Sequence, residues 1–298
     1  MKILVIGASG FIGYAVASAL ARAAHEVYGV VRRPGAVPLL RKAEIRPIMG
    51  KLQEPASFME AVAVCSVLIY AAADYQADTL TVDRAAVEAL LQAAPRGPQP
   101  KTLIYTSGAW VHGDTGGEMV DETTPLTPAR MVQSRPAIEQ RVLEHPRVRG
   151  LIIRPGDVYG GRGGLTGMWF EAAEKGELRV IGDGNNRWPM VHVEDLADAY
   201  VRLAESGLRG EVFEVTDRSR ATVNEMTEAV VRATGGTAKI THVPPAEAEK
   251  QMGAFAECLA LNQHVDARKA VRVLGWQPKH GGFVDGAETY YQAWKAWQ

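Results

Sequence analysis

Glycines at positions 7, 10 and 13 stand between a short apolar run, Lys2 to Ile6, and an Ala-rich stretch, Phe11 to Ala24. The whole segment reads Gly7-Ala8-Ser9-Gly10-Phe11-Ile12-Gly13. Each glycine has a task if a strand here turns at once into a helix. Gly7 permits the tight turn, Gly10 lets a ligand reach the backbone without a Cβ in the way, and Gly13 lets the helix pack close to its sheet. The helix that opens there offers backbone N–H groups and the positive end of its dipole, which is chemistry for a pyrophosphate. Ser9, Phe11 and Ile12 complete the turn and are expected to touch the same dinucleotide. An ordinary loop rich in small residues is the alternative, and the agreement of motif, strand and helix weighs against it.

The next apolar run, Glu26 to Val31, ends in Arg32-Arg33. A site for NAD usually places an acidic residue about 20 positions beyond the glycines, on the ribose 2′-hydroxyl. No Asp or Glu stands at this strand end, and a guanidinium suits a 2′-phosphate by charge and by bidentate geometry. NADP(H) is therefore the expected cofactor, with NAD(H) admissible. Two solvated surface arginines are the bland reading of the same pair.

Strand-like runs recur at Ile45 to Met49, Val67 to Ala72, Thr102 to Thr106, Leu151 to Arg154 and Glu211 to Thr216. Helical patterns lie between them at Ala56 to Val64, Val82 to Ala94 and Pro136 to Glu144. Strand–helix alternation predicts an α/β fold with a doubly wound, mainly parallel sheet of about seven strands. After Gly156 glycines cluster, and the stretch from Thr222 to Gln298 reads mostly as helix. The expected domains are 1–160 with 187–216 returning to it, and a smaller, mostly helical C-terminal substrate lobe of 161–186 and 217–298.

The bulk properties exclude several classes. Hydrophobic residues are 47% of 298, too many for a disordered chain. A net charge of -1 gives no field to attract nucleic acid or an anionic membrane. Cys65 and Cys258 are too few for a disulfide framework, and no Cys/His cluster has metal-ligand spacing. No apolar run approaches the roughly 18 residues of a membrane helix. The expectations are a cytoplasmic protein, no metal, and a small-molecule substrate as partner. Neither nucleic acid nor membrane is expected, and a homodimer is compatible with all of this.

Ordered segments along nearly the whole chain resemble the extended short-chain dehydrogenase/reductase superfamily, in its NAD-dependent epimerase/dehydratase branch. They are GASGFIG at Gly7, VLIYAAA at Val67, LIYTSGAWVHG at Leu103, RPGDVYG at Arg154, VHVEDLADAY at Val191 and KAVRVLGWQP at Lys269. The resemblance implies a Rossmann-type domain and cofactor contacts at Leu52, Ala71, Ala72, Ala73, Thr106, Ser107, Pro155, Gly156 and Val158. Lys51 stands where the family often has an Asp near the adenine.

That family uses a Tyr-x-x-x-Lys pair on its fifth helix and a Ser or Thr after the fifth strand. The tyrosine moves the proton at the substrate oxygen, and the lysine lowers its pKa and holds the nicotinamide ribose. Matching Glu139 to Leu143 with the family pattern puts Met131 at the tyrosine and Arg135 at the lysine, and the hydroxyl position is Gly108. Met131 cannot exchange a proton. Arg135 can hold a ribose but not act as a base. The chain thus resembles the superfamily's atypical members. His112 is the titratable candidate for the missing acid, or it packs in place of a family tyrosine. Ser107 either orients a substrate oxygen or bonds backbone at the strand end. His192, Glu194 and Asp195 read as structural.

Arg154-Pro155-Gly156-Asp157 lacks the Asn with which sugar-nucleotide epimerases contact their substrate. Met168, Trp169, Phe170 and Trp188 line an apolar pocket or form core between the domains. Together these imply an NADP(H)-dependent oxidoreductase or epimerase/dehydratase-like enzyme acting on a small, moderately apolar carbonyl or related compound. Two alternatives stay open: a catalytically inactive NADP(H)-responsive regulator, and a sugar-nucleotide epimerase or dehydratase.

Overall fold

The computed structural model describes residues 1–72, 79–96 and 99–298. The chain forms two compact units. The first is Met1–Ser107, Ser134–Arg154 and Ala197–Phe213; the second is Gly108–Gln133, Pro155–Leu196 and Glu214–Gln298. These limits correct the sequence expectation. Residues 108–133, 155–160, 187–196 and 214–216 belong to the second unit rather than the first, and the second unit is no smaller than the first.

The first unit is built on strands β1 (Lys2–Ile6), β2 (Glu26–Val31), β3 (Arg46–Met49), β4 (Val67–Tyr70) and β5 (Thr102–Thr106), followed by residues 149–154 of the strand Arg149–Pro155 and 211–213 of the strand Glu211–Val215. The sheet order is Glu211–Val215, Arg149–Pro155, β5, β4, β1, β2, β3. β1 pairs in parallel with β2 and β4, β2 with β3, β4 with β5, and β5 with Arg149–Pro155. The chain winds outward from β1 to β3 and then from β4 in the opposite direction. The adjacent ends of β1 and β4 are therefore the switch point at which open α/β sheets bind ligands.

Apolar side chains on both faces explain the layers. Leu4, Ile6, Leu68, Tyr70, Leu103, Tyr105 and Ile152 point to one face. There they pack with Val62 of α3 (Met59–Val64), Leu90 of α4 (Thr79–Ala93) and Val142 of α5 (Arg135–Leu143), all buried. Their alternating neighbours Ile3, Val5, Ile69, Ile104 and Leu151 are also fully buried. Successive strand side chains face opposite ways, so the second face is covered too. α1 (Phe11–Arg22) lies against β1 and β2 and adds nothing to the first cluster. An ion pair joins α5 to the neighbouring strand: Arg154 Nη2 and Nε donate to the two Glu139 carboxylate oxygens at 2.5 and 3.1 Å, both side chains buried.

The second unit carries small parallel pairs that the sequence pattern did not predict: Asp157–Tyr159 with Met190–His192, Glu177–Ile181 with Lys239–Val243, and Met119–Val120 with His264–Val265. Its largest cluster is aromatic, with Tyr159, Phe170, Phe283, Tyr290 and Trp294 among the buried rings. Phe170 and Trp188 are thus core, at 1 and 4% exposure. Met168 is 52% exposed, and Trp169 stacks on Trp188 with ring centroids 4.8 Å apart. Met168 and Trp169 line a cavity of about 240 Å³ with Leu165, Val243 and Phe255, while Phe170 and Trp188 belong to the core of the second unit itself. No helix among the described residues is long and apolar enough to cross a membrane, and none of their His, Cys, Asp and Glu groups could hold a metal ion.

Candidate functional site

In the first unit the glycine turn leaves β1 and opens α1 directly. Gly7 has φ +89°, a conformation that L side chains rarely adopt. A Cβ there would lie 2.6 Å from the Ala71 carbonyl oxygen and 2.9 Å from Ala72 Cα. Ala71 and Ala72, the residues after β4, therefore close directly on the turn. Ala73 lies outside the described residues. At Gly13 a Cβ would come within 2.1 Å of the Gly7 carbonyl oxygen. Gly10 caps α1 with extended backbone and has no side chain of its own to cap it, and the first turn holds no acidic residue. Ser9, Phe11 and Ile12 are half-buried around it. A side-chain cap would occupy the N–H groups that an anion needs, so this helix end fits a phosphate.

At the end of β2, Arg32 and Arg33 are both exposed. Lys51 Nζ pairs with Glu54 Oε1 at 3.1 Å, and Leu52 packs against the core. Lys51 thus stands committed to a neighbouring carboxylate.

The end of β5 is more constrained. Thr106 Oγ1 and Tyr200 Oη share a hydrogen bond of 2.6 Å. The Ser107 N–H donates to the Ile153 carbonyl at 2.8 Å, and Arg135 Nη1 donates to the Ser107 carbonyl at 2.9 Å. Ser107 is 4% exposed, yet its Oγ has no hydrogen-bond partner among the described residues. A buried hydroxyl without a partner costs free energy that a bound polar group would return. Arg135, expected at a ribose, binds the strand end in this structure.

In the second unit, Gly108 begins the 3₁₀ turn Ala109–His112 with φ 170° and ψ 160°. That is extended backbone open to any residue, so the missing hydroxyl is a matter of side chain and not of chain conformation. Met131 lies in the 3₁₀ turn Arg130–Val132, while α5 starts only at Arg135. The expected pairing of 131 and 135 on one helix is therefore corrected. Pro136 has no N–H to donate and its ring clashes with the carbonyl four residues back, so the helix cannot extend through 131. Met131 packs with Trp110 and Phe255 against Val111, Ala129 and Cys258.

His112 is 3% exposed, and its Nε2 lies 2.8 Å from Glu214 Oε1, itself fully buried. The structure gives the ring no open face for a substrate, which corrects its assignment as the acid. His112 ties the turn to Glu214 within the second unit. His192 is likewise buried; its ring stacks on His280 at 3.5 Å, and burial first, then His280, holds it down at about 4. Asp195 Oδ2 accepts from the Lys279 and His280 N–H groups, a structural role.

Pro155, Gly156 and Val158 are buried. A Cβ at Gly156 would lie 2.1 Å from the Pro189 carbonyl oxygen, so the glycine there serves strand packing. Asp157 is the residue that sequence reasoning passed over. Its carboxyl is 9% exposed, the Trp110 indole N–H donates to it, and burial raises it to about 7. The only trace in the sequence is an acidic residue set in a buried strand.

The model of the NAD dependent epimerase/dehydratase family matches residues 3–216. A Schizosaccharomyces pombe protein described as uncharacterized is 28% identical over 291 residues, 94% of this chain and 96% of its own. The 4-hydroxy-2-methyl-3-oxo-4-farnesyl-3,4-dihydroquinoline-1-oxide ketoreductase of Stigmatella aurantiaca is 27% identical over 257 residues, 82% of this chain and 76% of its own. Among solved structures, the UDP-glucose 4-epimerase of Thermus thermophilus in complex with NAD matches with a TM-score of 0.82 at 22% identity, covering 99% of each chain.

Proposed function

The chain belongs to the NAD dependent epimerase/dehydratase family, and from that premise we propose that it is an NADP(H)-dependent reductase of a small, moderately apolar carbonyl compound. The observation that carries the reading is the buried Ser107 Oγ at the end of β5, which has no partner among the described residues. A bound carbonyl oxygen would satisfy that hydroxyl. A protein that merely senses a dinucleotide has no need to keep a substrate-orienting group there. The ketoreductase relative supports the carbonyl class, and the absence of an Asn at Asp157 weighs against a sugar nucleotide.

The residues fit the cofactor. The glycine turn and the N-terminus of α1 would hold the pyrophosphate, the Arg32–Arg33 pair the 2′-phosphate, and Arg135 and Ser107 the region of the nicotinamide ribose. When bound, the nicotinamide supplies a hydride; the chain's own residues orient the substrate and meet the charge that develops on its oxygen. Two experiments test this. Arg32→Ala with Arg33→Ala should weaken NADPH binding by about tenfold, the worth of roughly 1.4 kcal/mol, and leave NADH binding unchanged, which equilibrium titration reads directly. Oxidation of NADPH in the presence of aromatic and aliphatic aldehydes and ketones tests turnover. Stoichiometric binding with no oxidation on the whole panel would favour a dinucleotide-responsive regulator instead.

A further inference from the structure

We infer that a cavity of about 420 Å³ within the second unit binds a phosphate monoester that carries a hydroxyl group, with Arg187 and Arg220 on the phosphate and Gln263 on the hydroxyl. The inference goes beyond the reductase reading and does not rest on it. A cavity of this size lies in the range of small-molecule sites. Three stretches of the second unit form its walls: residues 187–189, 216–220 and positions between 263 and 278. Hydrogen bonds fix these stretches to one another. The Gln263 N–H donates to the Arg187 carbonyl at 2.9 Å, the Arg187 N–H donates to Asn262 Oδ1 at 3.1 Å, and Arg187 Nη1 donates to the Arg220 carbonyl.

The charge of the walls points to the phosphate. Arg187, Arg218, Arg220 and Arg268 stand against two carboxylates, Asp217 and Asp266. Arg268 Nε donates to Asp266 Oδ2 at 2.5 Å, which closes that pair. Asp217 accepts from the Ser219 N–H, the Ser219 hydroxyl and Tyr159 Oη. Glu225, which feels the Arg187 charge, accepts from the Thr222 N–H and hydroxyl. Neither Arg187 nor Arg220 forms an ion pair with a carboxylate of the described residues; Arg187 bonds a carbonyl instead. Four arginines against two carboxylates leave an excess of two positive charges. A phosphate monoester carries about −1.5 to −2 at pH 7, a carboxylate only half of that, and the guanidinium fork matches phosphate oxygens bidentately. The crowding of cations is felt locally. Partial burial and then Arg187 hold Arg220 below its usual range, and burial and then Arg220 do the same to His264 on the same wall. An anion among them relieves both.

Gln263 supplies the second half of the recognition. Its side chain is 2% exposed, and its Nε2 donates to the Ala109 and Gly113 carbonyls at 2.8 Å each. Only the NH₂ end of an amide donates, so these two carbonyls fix its orientation. Oε1 is therefore an acceptor, and it has no partner among the described residues. A buried acceptor left unpaired costs free energy that a ligand hydroxyl, donating to it, returns.

Isothermal titration of the full chain with glycerol 3-phosphate tests the site. One molecule should bind per chain, about tenfold more tightly than propyl phosphate, which brings the same charge without a hydroxyl. Arg220→Gln removes an exposed guanidinium that holds no other described side chain. It should weaken glycerol 3-phosphate binding by about tenfold or more and leave the urea midpoint of unfolding where it is. No saturable binding of glycerol 3-phosphate, or equal affinity in the wild type and R220Q, overturns the proposal. Propyl phosphate bound as tightly as glycerol 3-phosphate overturns the role of Gln263, and with it the hydroxylated ligand.

Discussion

Gly13→Ala weakens NADPH binding by roughly 10–100-fold and lowers stability by about 1–3 kcal/mol, the cost of forcing a methyl group into a packed site. The reason is local. The added Cβ would sit 2.1 Å from the Gly7 carbonyl oxygen and 2.7 Å from its carbonyl carbon. Both are backbone atoms, and they form the turn itself, so no side chain can rotate away. Either α1 backs off from β1 or the turn opens, and each movement withdraws the helix N-terminus from the pyrophosphate position. Calorimetric titration with NADPH reads the binding loss, and chemical denaturation reads the stability loss. Wild-type affinity in a Gly13→Ala protein would mean that the dinucleotide is not held by this turn.

Glu139→Ala has the largest expected effect on stability, a loss of about 3–5 kcal/mol, because it leaves the Arg154 guanidinium charged and buried. The two side chains are 3 and 5% exposed and joined by a double hydrogen bond. Replacing both, as Glu139→Leu with Arg154→Met, should recover most of the loss, since a buried pair contributes little net once its desolvation is counted. Urea denaturation of the single and double variants measures the difference. Equal destabilisation of the two would contradict this account, because the cost would then lie in lost packing and not in an unpaired charge. The pair also bears on the site: Glu139 lies one turn along α5 from Arg135, which binds Ser107, and Arg154 leads into Pro155-Gly156-Asp157.

The glycine turn, the seven strands and their parallel order were legible in the sequence because each rests on local chemistry. Buried parallel strands read as apolar runs, and a turn that allows no Cβ reads as glycine. The limits of the units were not legible. Residues 108–133 follow β5 directly in the chain and look like its continuation, yet their packing partners, such as Cys258 and Leu261, lie far along the sequence. His112 shows the same limit at the scale of one side chain. A histidine near a strand end suggests an acid, but its partner Glu214 is 102 residues away, and only the fold reveals that the pair is buried. Asp157 shows the limit in another way. It was weighed as an absent Asn, while its unusual character comes from burial beneath Trp110, a quantity that residue spacing does not carry. Pro136 was a readable sign that position 131 falls outside the fifth helix, which the pattern already placed at Pro136 to Glu144.

The central claim is that this chain holds a nicotinamide dinucleotide by its glycine turn and prefers the form with a 2′-phosphate. Isothermal titration of the full chain with NADPH and, separately, with NADH tests it most directly. The account predicts one site per chain and binding of NADPH tighter by about tenfold or more, at least 1.4 kcal/mol, with the difference shrinking as salt screens the exposed Arg32 and Arg33. NADH bound as tightly as NADPH, or more tightly, would contradict it.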